Sequence, residues 1–195
     1  MPAAVASRDE VVDRLLTAFR RKGYDGASLA DLSAATGLGR SSLYHYFPGG
    51  KEDMARAVLD RADAWLDQAV IAVLQAEGGG RDRLAGMGKA LNDFYDGGRE
   101  RCILGAFVIG QSRDLFSARL AATFERWVGA MAGVARDEGV DPAAARARAE
   151  KAVIQIQGAI VLSAALNDPK PFKRVLADLP DDLLAPGPAE HQSGS

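Results

Sequence analysis

The sequence predicts an all-α protein of about nine helices, with an N-terminal three-helix unit built around a helix-turn-helix and a C-terminal helical bundle. Three observations predict it. Apolar residues recur at three- and four-residue spacing through most of the chain, the period of a helix with one buried face. No segment alternates apolar and polar residues as a half-buried strand does. Glycine and proline punctuate the periodic stretches at Gly23, Gly37, Pro48, Gly78, Gly97, Gly139 and Pro169, dividing the chain into helix-sized pieces.

The elements follow in order. A first helix over about Arg8–Lys22 places Val12, Leu15, Leu16 and Phe19 on one face, and Gly23 ends it after the basic run Arg20-Arg21-Lys22. Ser28 has the chemistry of an N-cap and Asp31 completes a capping-box pair, opening a helix over about Leu29–Thr36. Gly37-Leu38-Gly39 is a tight turn, and a short helix over about Arg40–Phe47 follows, stopped by Pro48-Gly49-Gly50. A long helix starts near Lys51 and runs toward Ala76, with Met54, Val58, Trp65, Leu66, Val70 and Val73 along one side. Gly78-Gly79-Gly80 reads as a flexible joint.

Beyond it, a helix over about Arg81–Tyr95 carries Leu84, Met87, Leu91 and Phe94. Cys102–Gly110 is apolar nearly all round and reads as a short buried helix. The next, over about Arg113–Asp137, carries Leu120, Phe124, Trp127, Val128, Met131 and Val134. Asp141-Pro142 supplies an N-cap and a first-turn proline for a helix to about Leu166. Its second half, with Val153, Ile154, Ile156, Ile160, Val161 and Leu162, is apolar on two sides, so it is deeply buried or shared with a partner. A last helix over about Pro171–Leu179 precedes a Pro/Gly/Ser-rich tail at 186–195, which like residues 1–7 is expected to be disordered.

Composition narrows the function classes. Of 195 residues, 48% are hydrophobic and 26% charged, ordinary for a globular protein. Cys102 is the only cysteine, which rules out an intrachain disulfide and reads as a small core residue. With His45 and His191 the only histidines, neither a metal site nor a cofactor is expected. No uninterrupted apolar run reaches the roughly 18 residues of a membrane span, and Met1–Asp9 holds no signal-like stretch, so a cytoplasmic protein without a membrane partner is expected. Net charge is −2, yet five basic residues face two acidic ones between Arg20 and Lys51. A nucleic-acid footprint would be local, and charge alone does not argue for one.

Ser28–Lys51 is the informative stretch. Two short helices joined by a glycine-containing turn form a helix-turn-helix, whose second helix enters the DNA major groove. Leu32, Ala35, Leu38 and Leu43 have the spacing to knit the two helices, and the small Ala34 and Ala35 would let them approach. Arg40, Ser41, Ser42, Tyr44, His45 and Tyr46 nearly cover the second helix with hydrogen-bonding groups. Arg40 suits a bidentate guanine contact or a phosphate; the serines suit either; the aromatics suit phosphates, sugars or thymine methyls. Lys51 and the free N–H groups near Leu29 and Glu52 suit phosphates. The alternative is an ordinary helical pair with an aromatic surface.

The run Gly37-Leu38-Gly39-Arg40-Ser41-Ser42-Leu43-Tyr44-His45-Tyr46-Phe47, followed by Lys51-Glu52, closely resembles the signature of the TetR family of regulators. Phe19, Gly23-Tyr24 and Ser28-Leu29-Ala30-Asp31-Leu32 extend the resemblance, which covers about residues 8–60. The pair Gly49-Gly50 departs from it, since many members have one residue fewer there. The resemblance implies that Arg40, Ser41, Tyr44 and His45 face bases, that Ser28, Ser42, Tyr46 and Lys51 contact phosphates, and that Leu43 and Phe47 are core. It implies a DNA-binding domain at 1–50, and a ligand-binding and dimerisation domain at 51–185 with the helix from Lys51 as connector. The implied function is a ligand-responsive transcriptional regulator, a homodimeric repressor released from a palindromic operator by a hydrophobic or amphipathic effector.

Trp65, Phe94, Tyr95, Phe107, Phe124, Trp127, Met131 and Gln155 are the candidate pocket residues as a group, although any single one of the aromatics is better explained as plain core, and Trp65 could face the pocket or the joint with the DNA-binding domain. Gln111, Gln155 and Gln157 are the polar residues expected within apolar surroundings. Ile156, Ile160 and Phe172 are the candidate dimer contacts, on the last two long helices. No catalytic motif supports an enzyme, and the intact 40–51 stretch argues against a sensor or adaptor without DNA function.

Overall fold

Capping chemistry sets where the chain becomes helical. In the computed structural model, which describes residues 7–185, Ser7 opens α1 (Arg8–Gly26). Its hydroxyl accepts the Glu10 N–H at 3.2 Å while the Glu10 carboxylate accepts the Ser7 N–H at 2.8 Å, a complete capping box. Gly23, at φ 68 and ψ 177, interrupts α1 where the sequence places its end, and one further turn follows. Then come α2 (Leu29–Thr36), α3 (Arg40–Tyr46) and α4 (Lys51–Leu66). α4 passes into a π-helical turn over Asp67–Ile71 and then α5 (Ala72–Leu74), in place of one helix to Ala76. The rest is α6 (Gly80–Phe94), a 3-10 turn at Asp96–Gly98, α7 (Ile103–Phe107), α8 (Ser112–Asp137), α9 (Pro142–Leu166) and α10 (Lys170–Leu184). No strand occurs among the described residues. Ser7, expected within a disordered N-terminus, is a cap; the expectations for 1–6 and 186–195 lie outside the described residues.

The chain forms two compact units: one extends to Leu66 and adds Arg101–Thr123, the other joins Asp67–Glu100 to the chain from Phe124 onward. In the first unit, Val11, Leu15 and Phe19 of α1 are fully buried with Leu32, Met54 and Val58, and Leu43 and Phe47 are nearly so. α7 packs against α1. It brings Phe107 to 5.5 Å from Phe19 and 5.9 Å from Tyr24, ring centre to ring centre, and Phe116 lies 5.7 Å from both Phe107 and Tyr24. Such edge-on and tilted ring pairs stabilise beyond their buried area.

Phe107 is therefore core of the N-terminal unit, the plain-core alternative that the sequence left for each aromatic. The segment around it is also less buried than its composition suggests, since Val108 is 42% and Ile109 79% exposed. Gln111 is exposed too, its N–H donating to the Asp25 carboxylate at 2.8 Å. α4 and α8 are pinned by ions: Arg119 donates to Asp63 from Nε at 3.0 Å and Nη2 at 2.7 Å and pairs with Asp60 at 2.7 Å, and Thr123 donates to Asp63 at 2.7 Å. Asp63 is mostly buried, so this fork is worth more than a fully exposed pair.

The second unit closes around Leu84, Met87, Leu91, Trp127, Met131, Ile156 and Phe172, each at most 1% exposed. Asp141 caps α9 by accepting the Ala143 and Ala144 N–H groups at 2.9 and 3.1 Å. α10 lies along α9. The Ser163 hydroxyl accepts the Phe172 N–H at 3.1 Å near its start, and Arg148 donates to the Leu183 and Ala185 carbonyls at its end. These anchors carry α10 past the expected Leu179 to Leu184, with Pro180 inside it.

Ile156 and Ile160 of α9 and Phe172 of α10, expected at a dimer contact, are turned inward, because the faces that carry them pack within the chain. The outward face holds Ile154 and Val161, both 70% exposed, with Leu166 at 60% and Leu162 at 49%. Although α9 has no uninterrupted apolar run, it is the one helix among the described residues long and apolar enough to cross a membrane, a test that core helices also pass. The glycines at 78–80 are not a free joint: Gly80 is buried at the start of α6 and its N–H donates to Glu138 at 2.5 Å.

Gly98 has φ +95, and a Cβ there would meet the Phe172 Cβ at 2.7 Å, whereas a Cβ at Gly88 of α6 would meet nothing within 4 Å. Gly98→Ala is expected to destabilise by about 2 kcal/mol or more, and Gly88→Ala to be neutral or stabilising by up to about 1 kcal/mol. Denaturant midpoints followed by circular dichroism check both; equal midpoints would contradict the close packing at Gly98.

Candidate nucleic-acid interface

α2 is set by its own first turn. The Ser28 hydroxyl accepts the Asp31 N–H at 3.1 Å and donates to the Asp31 carboxylate at 2.7 Å, and the Ser28 N–H donates to the same carboxylate at 3.0 Å. Lys22 adds an ion pair to Asp31 at 2.6 Å. The hydrogen bonds from Lys22 and then from Ser28 hold the Asp31 carboxyl at a pKa of about 2. Ser28, an expected phosphate contact, is exposed with its hydroxyl engaged in this box.

The turn after α2 is held by residues that sequence reasoning missed. Gly37 takes φ 73, the left-handed region. Arg14 of α1 donates to the Thr36 carbonyl at 2.7 Å, Ser33 donates to the Leu38 carbonyl at 2.5 Å, and the Thr36 hydroxyl accepts the Leu38 N–H at 3.3 Å. The hydroxyls of Ser33 and Thr36 near a helix end were the available local signal; Arg14, 22 positions away, left none. Leu32 and Leu43 are buried as expected, but Ala34 and Ala35 are exposed and do not knit the helices. They line instead a groove of about 400 Å³ with Arg14, Arg21, Lys22 and Asp31.

α3 has two clear sides. Leu43, inside it, and Phe47, just past its end, are each 1% exposed, and the Arg8 guanidinium sits 5.3 Å from the Phe47 ring centre. Arg40, Ser41, Ser42, Tyr44 and His45 are exposed, and Tyr46 is half-buried. Positions 40, 41, 44 and 45 fall one turn apart on the side away from the core.

The extra glycine has a structural use. Gly50, at φ +69, donates its N–H to the Phe47 carbonyl at 2.9 Å, and a Cβ there would meet the Tyr44 ring at 3.4 Å. Asp53 reaches back to accept the Gly49 N–H. Lys51, which starts α4, is half-buried with its ammonium 4.6 Å from the centre of the Tyr24 ring. Burial pushes its pKa down, and the Asp25 charge opposes that shift. Burial raises the Tyr24 pKa, with the Glu52 and Asp25 charges adding to the effect.

The candidate pocket residues are divided. Trp65 and Phe107 belong to the first unit; Phe94, Tyr95, Phe124, Trp127 and Met131 belong to the second. Trp127 and Met131 are buried, and Tyr95 packs edge-on to Phe94 at 5.1 Å and to Phe172 at 6.0 Å. Gln155 is a correction: it donates to Asp182 at 3.4 Å at the surface. Gln157 does leave a buried amide nitrogen without a partner, as does the Trp127 indole.

Comparison with known proteins bears on this geometry. Residues 12–58 match the model of bacterial regulatory proteins of the tetR family, and residues 84–178 match the C-terminal domain model of LmrA/YxaF-like transcriptional regulators. The chain is 29% identical over 191 residues to the HTH-type transcriptional regulator Rv0196 of Mycobacterium tuberculosis, covering 91% of this chain and 94% of that protein. It is 46% identical over 57 residues to the HTH-type transcriptional repressor ComR of Escherichia coli, covering 29% and 27% of the two chains. Its fold is similar to that of the TetR family transcriptional regulator CifR, a cysteine mutant complexed with 26 bp operator DNA, with a TM-score of 0.73 and 22% identity over 95% of this chain and 98% of that one.

The capping box makes a pH prediction. Asp31 has a folded pKa below the ordinary carboxylate value of about 3.9, so its contribution to stability is full above that pH and is lost as pH falls toward about 2. A carbon-13 titration of the Asp31 carboxyl is expected to show a midpoint near about 2, and Ser28→Ala to raise it. A midpoint at the ordinary value in the unaltered protein would mean that the box is open in solution.

Proposed function

The chain belongs to the TetR family of bacterial transcriptional regulators, and on that premise we propose that α3 reads a palindromic operator from which a small effector releases the protein. It is a DNA-binding transcriptional regulator. The observation that carries the reading is the two-sided α3: Leu43 is locked into the core, so Arg40, Ser41, Tyr44 and His45 project from a fixed rod. In this reading those four face base edges, while Ser28, Ser42, Tyr46 and Lys51 hold phosphates. DNA reading is assigned to residues 1–50, and effector binding and dimerisation to 51–185 with α4 as connector.

The regulatory sense is repression, acting in the cytoplasm, with no catalytic step and no membrane partner. A hydrophobic or amphipathic effector fits the second unit, where the buried Trp127 indole N–H lacks a hydrogen-bond partner that an acceptor could supply. Release requires that the effector bind the DNA-free state more tightly, and the coupling is reciprocal.

A two-fold operator calls for a two-fold protein. The outward face of α9, with Ile154, Val161, Leu162 and Leu166, supports a homodimer formed there. Val161→Glu would place charges on that face without touching the core, and is expected to give folded monomers by sedimentation. An intact dimer in that variant would move the interface elsewhere.

Base reading and phosphate anchoring separate experimentally. Arg40→Ala is expected to lose specific binding more than non-specific binding, by roughly 1–3 kcal/mol of discrimination. Lys51→Ala is expected to weaken binding to all sequences and to reduce the salt slope by about one unit. Operator titrations at several salt concentrations check both, and equal losses on operator and random DNA for Arg40→Ala would reduce that residue to a phosphate contact.

A further inference from the structure

The second unit carries a groove of about 450 Å³ that contains none of the aromatic positions discussed above. That volume suits a small molecule. One edge is the π-helical turn Asp67–Ile71, a local geometry common at functional sites. The facing wall is α8, where Gly129 and Gly133 remove side chains and leave the space open. Ile71, Leu74 and Val134 supply apolar surface.

Charge in the groove is unbalanced. Arg83, Arg126 and Arg136 face only Asp67 and Asp137. Arg126 is spent on Asp67 at 3.3 Å. Arg83 is 9% exposed and donates from one nitrogen to Asp137 at 2.8 Å and to the Leu74 carbonyl at 3.1 Å, while its buried Nε has no partner. Arg136 is exposed, and its guanidinium makes no hydrogen bond or ion pair with any described residue. One positive charge is thus left over beside apolar walls.

We propose that this groove binds a small amphipathic carboxylate, its anionic end on Arg136 and its apolar body over Ile71, Leu74 and Val134. Guanidinium matches a carboxylate fork in shape and charge, and a single excess charge suits a monoanion better than a dianionic phosphate. The site stands apart from the Trp127 reading of the effector, and its binding step does not depend on DNA.

Octanoate and octanamide are the probes, titrated by calorimetry into the full, DNA-free chain with amide resonances followed by NMR. Octanoate is expected to shift Gly129 and Gly133 and to bind at least about tenfold more tightly than octanamide. Arg136→Ala, a change at an exposed position, is expected to remove that preference while leaving the melting temperature unaltered. No binding of octanoate, equal affinity for acid and amide, shifts that miss Gly129 and Gly133, or an unchanged affinity in Arg136→Ala would each overturn the proposal. Loss of operator binding would leave these outcomes untouched, so the two readings fail separately.

Discussion

Seven residues are too few to hold an α-helix in water, so α3 (Arg40–Tyr46) exists as a helix only because Leu43 and the adjoining Phe47 are buried. That constraint sets the rest of the first unit. α1 must present Leu15 and Phe19 to the same core, α2 must end in a left-handed glycine to turn the chain back, and Arg14 must hold the last turn of α2. The polar side of α3 is then aimed by the packing of its apolar side. Removing the anchors would leave Arg40 and His45 present in the sequence with no fixed direction.

The same core explains why the N-terminal unit is not closed by its first three helices. Phe19, Tyr24, Phe107 and Phe116 form one aromatic cluster, and Lys51 lies on the Tyr24 ring. Asp25 accepts the Gln111 N–H, and Arg101 donates to the Arg21 carbonyl at 3.2 Å, so 101–111 is tied to the end of α1 at two further points. Rings packed this closely transmit displacement, since interiors tolerate little empty space.

In the second unit the decisive feature is the division of α9 into an inward and an outward apolar side. The inward one meets α10, whose start is fixed by the Ser163–Phe172 hydrogen bond and whose end is fixed by Arg148. The outward one keeps four aliphatic side chains in water.

Local chemistry was legible from the sequence. The Ser28–Asp31 box, the stops at Gly23 and Gly37, the Asp141 cap and the exposed hydrogen-bonding residues of α3 each depend on neighbours within a few positions, and each is where the sequence put it. What the sequence could not decide was which apolar residue meets which. Phe107 could have been pocket or core and packs on α1; Ile156 and Ile160 looked like an interface and are buried within the chain; Gln155 looked buried and bonds Asp182. Arg14, Arg83 and Glu138 act on residues 22, nine and 58 positions away. A helical period says that a face is buried and is silent about what buries it, because that choice is made by long-range packing.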